Sequence, residues 1–306
     1  MRLDIAAQTD VGRRKKKNED CFGVLRDDFP DLRFFDEGAL LVIADGLGGH
    51  VGGEIASKLA VSIMRDMLKA DPPQSAEDAD EDAGPLPLIR EWMIKANESI
   101  FQTNQDLVTN GRPMGTTLLS VLVTPKKAYI GNIGDSRAYH IRENEILERT
   151  EDHSWVDEQV KQGLMSKAEA ETDSRKNMVT RSVGTNAEID ADTYLWHLVP
   201  GDMILMATDG LINMVKDTEI LDEFKRGGTP AEIAQRLIHL ANENGGKDNI
   251  TVCIANISPS LPRYIFQRVR SWWKRAAYPL LWVMLYLLGF MLGVATGVLL
   301  ARNHIL

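Results

Sequence analysis

Four apolar runs in this chain are bounded by an aspartate: Asp45 follows ALLVIA, Asp135 follows AYIGNIG, Asp209 follows MILMAT, and Asp248 stands just ahead of ITVCIANI. Short runs of this kind read as strands, and ALLVIA as one covered on both faces. One Asp-Gly after a strand is an ordinary hairpin turn. Four aspartates at strand ends ask for more, because one rim of a sheet can gather carboxylates from distant parts of a chain. Such a cluster is tolerated where cations neutralise it. Oxygen donors without His or Cys at ligand spacing favour hard ions, Mg²⁺ or Mn²⁺, over zinc.

The remaining pattern sets these strands in an α+β frame. Leu3–Thr9 and Cys21–Leu25 read as a strand pair around a basic connection. Ile55, Ala56, Leu59, Ala60, Ile63, Met64, Met67 and Leu68 recur at helical spacing after the glycine-rich segment Gly46–Gly53. Residues 71–87, rich in Pro and acid, read as a loop. A helix over Leu88–Leu107 precedes a meander of Thr116–Val123, Ala128–Gly134, Ser136–Ile141 and Ile146–Arg149. Polar residues 154–175 interrupt the strands; Asp192–Leu198, Met203–Thr208, a helix at Pro230–Asn242 and a last strand at Ile250–Ile257 follow. Strands paired mostly with chain neighbours, plus two long amphipathic helices, predict antiparallel sheets covered by helices.

Charge divides the chain. Residues 1–258 hold all 44 acidic side chains and 29 of the 35 basic ones, a net −15, which argues against a nucleic-acid partner. Two cysteines, Cys21 and Cys253, are too few for a disulfide framework. Met1–Asp10 has no apolar core of signal-peptide length. The run Pro279–Ala301 has 23 residues and no charge; as a helix it covers about 33 Å, enough to cross a bilayer. Arg263, Arg268, Arg270, Lys274 and Arg275 precede it with Trp272, Trp273, Tyr278 and Trp282 nearby. Cations stay inside and aromatics sit at the interface. The expectation is therefore a tail anchor: a body at 1–258 on the cytoplasmic side, a basic juxtamembrane linker at 259–278, a transmembrane helix at 279–301 and a short tail at 302–306. Gly289, Gly293 and Gly297 form a tandem GxxxG that suits helix–helix association.

Other chemistries fit less well. The glycines of 46–53 do not give GxGxxG, and Gly246-Lys247 is followed by Asp248 rather than Ser or Thr, so neither a dinucleotide fold nor a P-loop is indicated. Gly134-Asp135-Ser136-Arg137-Ala138 approximates a nucleophile elbow, but between two strands and without a D-x-x-H to complete a triad.

Taken in order, Asn18-Glu19-Asp20, Ala44-Asp45-Gly46-Leu47-Gly48-Gly49-His50, Met114-Gly115-Thr116-Thr117, Gly134-Asp135-Ser136-Arg137-Ala138-Tyr139, Asp152-His153-Ser154, Thr208-Asp209-Gly210-Leu211 and Lys247-Asp248-Asn249-Ile250-Thr251 resemble the bacterial branch of the metal-dependent Ser/Thr protein phosphatases, the type 2C or PPM family. The resemblance covers about residues 4–257. It implies a four-layer α/β/β/α sandwich with a binuclear Mn²⁺/Mg²⁺ centre at one rim. By similarity Asp45 would bridge both ions, the Gly46 carbonyl would bind one, Asp209 and Asp248 would hold the other, and Glu19 and Asp20 would act near the first. Asp135 would help hold a third ion. Residues 154–175 match the flap over the substrate entrance. Hydrolysis by metal-activated water needs no protein nucleophile, which leaves Ser136 a structural hydroxyl.

Two positions depart from the family. Lys15, in the run Arg13-Arg14-Lys15-Lys16-Lys17, stands where relatives carry the Arg that binds substrate phosphate, so phosphate falls to Lys15 or to Arg14. Leu47 replaces a His that some eukaryotic relatives use, and His50 reads as a packing residue. Two functional classes follow. One is an active phosphatase opposing a Ser/Thr kinase at the inner membrane and acting on phosphorylated proteins. The other is a metal-poor phosphoprotein-binding scaffold of the same fold. The complete Asp45, Asp209 and Asp248 set favours the enzyme.

Overall fold

The computed structural model describes residues 2–26, 38–47, 51–70, 84–107 and 113–259. The chain divides into two compact units, Met1–Ser258 and Pro259–Leu306. Residues 260–306, and with them the 279–301 run, the basic linker and Gly289, Gly293 and Gly297, lie outside the described residues, as does His50. Among the described residues no helix is long and apolar enough to cross a membrane.

The first unit begins with β1 (Arg2–Asp10), β2 (Cys21–Leu25), β3 (Ala39–Ala44) and the two-residue β4 (Gly46–Leu47). Helices α1 (Val51–Ala70) and α2 (Leu86–Leu107) follow, then β5 (Gly115–Thr116), β6 (Leu118–Val123), β7 (Lys127–Ile133), β8 (Arg137–Arg142) and β9 (Glu145–Arg149). Short helices α3 (Trp155–Lys161) and α4 (Lys167–Thr172) fill the polar interruption. The unit closes with β10 (Asp192–His197), β11 (Met203–Ala207), α5 (Asp209–Ile212), α6 (Asp217–Lys225), α7 (Pro230–Glu243) and β12 (Ile250–Ser258).

Two five-stranded sheets, ordered β1-β12-β11-β8-β9 and β10-β7-β6-β3-β2, are antiparallel throughout. Strand periodicity builds the layers. On β3, Leu41 and Ile43 pack between the sheets with Leu119, Val121, Ile204 and Met206, while Leu40 and Val42 face outward onto Ala60 and Met64 of α1 and Trp92 and Met93 of α2. On β12, Cys253 and Ala255 join the central layer, and Val252 and Ile254 pack against Ile233 and Leu237 of α7. The result is the α/β/β/α sandwich. Both faces of β3 are covered, as its continuous apolar run predicts.

Several expectations are corrected. β1 and β2 do not pair: β1 runs beside β12 along nine residue pairs, Arg2 opposite Ser258 through Asp10 opposite Ile250, and β2 pairs with β3 in the other sheet. The meander splits at Gly134-Asp135-Ser136, where the chain crosses from β7 in one sheet to β8 in the other. The crossing lets Ala128 and Ile130 of β7 face Ala138 of β8 across the layer between the sheets, with Tyr129 of β7 and Tyr139 and Ile141 of β8 turned to the layers outside. Leu86 and Pro87 belong to α2 rather than to the acidic loop, whose residues 71–83 lie outside the described ones. Thr117 separates β5 from β6. Helix α6 had no sequence assignment.

Candidate metal centre

Antiparallel register puts the aspartates on one rim. Cys21 lies opposite Ala44, so Asp20 and Asp45 flank the same edge of one sheet; Leu118 opposite Ile133 brings Asp135 to that edge. In the other sheet Ala207 lies opposite both Arg137 and Val252, placing Asp209 and Asp248 at the corresponding end. Asp209 does not close a hairpin; it opens α5.

Local hydrogen bonds fix each position. The Asp45 N–H donates to Thr117 Oγ1 at 2.9 Å, and the Asp45 carbonyl accepts from Thr117 N–H and Thr116 Oγ1, both at 2.8 Å. Gly46 N–H donates to the Glu19 carbonyl at 3.2 Å, and Ser57 Oγ donates to the same oxygen at 2.6 Å. A Cβ on Gly46 would run into the Gly53 carbonyl, so only glycine lets β4 and the start of α1 come this close. Asn249 Oδ1 accepts from Glu19 N–H at 2.8 Å while its Nδ2 donates to the Val11 and Lys17 carbonyls, each at 2.9 Å. That one side chain ties the basic loop to the rim.

The carboxylates feel one another. Burial, then the fields of Asp20, Asp209, Asp135 and Asp248, push Asp45 well above the usual carboxylate range. Asp135 is likewise raised by burial and by Asp209 and Asp152. Burial first, together with Asp209 and Asp248, raises Asp20 to about 7 against the pull of two threonine hydroxyls. Asp209 is raised to about 6 by burial and by Asp248. Among the described residues no three of these groups close on a point as a finished metal cage, but Asp20 Oδ1 and Asp209 Oδ1 are buried with no protein hydrogen-bond partner. Buried, unpartnered and mutually repelling oxygens of hard character fit Mn²⁺ or Mg²⁺. The candidate ligands Asp45, Asp209, Asp248, Asp20 and Asp135 thus lie along one rim, close enough to act on one another, with Gly46 next to Asp45. Glu19 sits beside it, 8% exposed.

Lys15 reaches the cluster and Arg14 does not. Lys15 Nζ lies 2.6 Å from Asp248 Oδ1, and although burial disfavours its charge, Asp248, Glu19 and Asp45 raise its pKa overall. Arg14 is exposed, its backbone N–H held by the Gly246 carbonyl. Ser136 is fully buried, its hydroxyl 2.9 Å from Thr117 Oγ1.

Sequence reasoning missed the supporting layer. Arg137 grips Asp152 with two 2.7 Å bonds just behind Asp135. His153 Nδ1 accepts from Gly134 N–H at 3.1 Å, which leaves its proton on Nε2, 3.2 Å from Asp192 Oδ2. Burial lowers the His153 pKa, consistent with a neutral ring bracing the crossing that carries Asp135. A groove of about 460 Å³ lined by Leu86, Pro87, Arg90, Glu91, Ile94 and Thr193 touches none of these carboxylates.

A fold of two antiparallel sheets between helix layers, with carboxylates of both sheets near one rim, suits a metal-dependent hydrolase. Comparison with known proteins makes it specific. The family model for protein phosphatase 2C matches residues 22–247. The serine/threonine phosphatase stp of Listeria monocytogenes is 34% identical over 252 residues, covering 81% of this chain and 93% of that protein. Serine/threonine phosphatase Stp1 from Staphylococcus aureus has a similar structure, with a TM-score of 0.74 and 32% identity over 85% of this chain and 96% of that one. The catalytic domain of PstP, solved in complex with 2 manganese ions, gives a TM-score of 0.69 and 30% identity over 84% and 99% of the two chains. The chain belongs to the protein phosphatase 2C family.

Proposed function

We propose that this protein is a protein serine/threonine phosphatase that hydrolyses phosphoserine and phosphothreonine at a binuclear Mn²⁺ or Mg²⁺ centre. The observation that carries the reading is the convergence of Asp20, Asp45, Asp135, Asp209 and Asp248 from both sheets on one rim, each of the first four raised by burial and then by its neighbours. Asp45 would be shared by two ions, with the Gly46 carbonyl on one and Asp209 and Asp248 on the other. Asp20 and Glu19 would serve the first, and Asp135 a third. The relatives' names and the manganese-bound PstP domain support the same assignment.

Bound there, such ions activate water and offset charge on the phosphoryl oxygens. The chain's own groups hold and orient. Thr116 and Thr117 fix the backbone on both sides of Asp45. Lys15, the cation nearest Asp248, is placed to bind a phosphoryl oxygen, as a point charge rather than a fork. Ser136 is enclosed and engaged, so no protein hydroxyl there attacks and no phosphoenzyme forms. Residues 154–175, with α3 and α4, would cover the substrate entrance.

The sequence beyond Ser258 supports a membrane location for this activity: the basic 259–278 stretch would lie on the cytoplasmic surface, and the uncharged 279–301 run would serve as a single-pass anchor in the inner membrane. Gly289, Gly293 and Gly297 would pair it with another helix, and a membrane-bound Ser/Thr kinase or its substrates would be the working partners. Release of phosphate from a phosphothreonine peptide with Mn²⁺, abolished by EDTA, supports the activity; equal rates in both would overturn it.

A further inference from the structure

The two carboxylate oxygens of Asp20 have unlike surroundings. Oδ2 accepts from Thr251 Oγ1 at 2.6 Å and from Thr208 Oγ1 at 2.9 Å. Oδ1 is buried and, among the described residues, has no hydrogen-bond partner.

Counting protons orients the network around the ionised carboxylate. A hydroxyl has one proton to give. Thr251 gives its proton to Asp20, so in the 2.8 Å contact between the Thr9 and Thr251 hydroxyls the donor is Thr9. Thr9, its own proton committed, accepts from Asn18 Nδ2 at 2.8 Å. On the other branch Thr208 gives its proton to Asp20 and accepts from the Thr251 backbone N–H at 3.0 Å. Every donor of both branches points toward Oδ2. Backbone pairing fixes where they start: Thr9 is opposite Thr251 in the β1–β12 register, and Thr208 N–H donates to the Thr251 carbonyl at 3.1 Å.

We infer that Thr251 and Thr208, backed by Thr9 and Asn18, are positioning residues that saturate Asp20 Oδ2 and present Oδ1 alone to the cation, making Asp20 a single-oxygen ligand. The inference rests on the metal-dependent reading above. Without the clamp the carboxylate could turn, or offer both oxygens. Partners of this kind, one bond removed from the ion, typically alter metal affinity 10–100-fold when lost.

The test is calorimetric titration of Mn²⁺ into the full chain, kept in detergent, for the wild type, Thr251→Val, Thr251→Ser and Thr9→Val. Metal-free unfolding midpoints and steady-state kinetics accompany it. Thr251→Val should weaken Mn²⁺ binding by about tenfold or more, lower kcat at limiting Mn²⁺ and leave the peptide KM unchanged. Thr251→Ser should restore binding, and Thr9→Val should fall between. Wild-type affinity in Thr251→Val, or no recovery with Ser, would overturn the inference. If Thr251→Val does not fold, Thr9→Val at its exposed strand position decides, and unchanged affinity there counts against the clamp. A wild type that takes up no Mn²⁺ would overturn the metal-dependent reading and the clamp with it.

Discussion

Lys15 Nζ lies 2.6 Å from Asp248 Oδ1, so a basic side chain at the rim is paired with one of the candidate metal-binding carboxylates. The ammonium thus offsets part of the acidic cluster's charge, and a neutralised Asp248 would leave it free for phosphate. Arg14, next in sequence, faces solvent. The ion pair to Asp248 separates the two candidates that sequence alone could not.

Lys15→Met should therefore raise KM for a phosphothreonine peptide by about tenfold, the equivalent of roughly 1.4 kcal/mol. Arg14→Ala should leave it unchanged, and Lys15→Arg should lower it by adding a bidentate grip. Steady-state kinetics at saturating Mn²⁺ read all three. Damage from Arg14→Ala with normal Lys15→Met would transfer the phosphate role to Arg14.

Raised carboxylates make the metal-free protein sensitive to pH. Asp20 at about 7 and Asp209 at about 6 hold protons in the fold that they release at ordinary carboxylate values when unfolded. The folded state binds more protons across that interval, so stability from this cluster is greatest below about pH 4 and declines as pH rises through about 7. Thermal unfolding in EDTA from pH 5 to 8 should show the midpoint falling, and Mn²⁺ should remove most of the fall. A flat EDTA profile would mean that the carboxylates are not buried and crowded as placed.

Periodicity revealed most of the elements and the rim. ALLVIA, MILMAT and ITVCIANI are strands because their alternation feeds two layers at once, and their flanking aspartates lie near enough to act on one another. Sheet membership was not legible. Nothing in Leu3–Thr9 tells that its partners are 242 to 254 residues away on β12 rather than on the next strand, because pairing between open edges is decided by the closed topology. The clamp on Asp20 was hidden for the same reason: Thr9, Thr208 and Thr251 are unremarkable alone and become one network only through that register.

The Arg137–Asp152 pair should act as structure rather than chemistry. Burial raises the Asp152 carboxylate even against Arg137, so losing the guanidinium strands a charge. Arg137→Ala should cost about 3 kcal/mol and lower the unfolding midpoint by about 9 °C. Arg137→Met combined with Asp152→Leu should recover part of it. Calorimetry of the three variants decides, and an unchanged midpoint in Arg137→Ala would show that the pair is not structural.

A chain ending at Ser258 retains all twelve strands and seven helices described and should be soluble, with full Mn²⁺-dependent activity. The full chain should sediment with membranes. Fractionation followed by phosphate release checks both, and a folded but inactive truncate would place the catalytic boundary beyond Ser258.

The central claim is tested most directly by Asp209→Asn, which keeps side-chain size and removes one charge from the cluster. At saturating Mn²⁺, phosphate release from a phosphothreonine peptide should fall by about a thousandfold, the equivalent of roughly 4 kcal/mol, while the metal-free unfolding midpoint stays level or rises as carboxylate repulsion is relieved. Wild-type activity in Asp209→Asn would contradict the binuclear assignment.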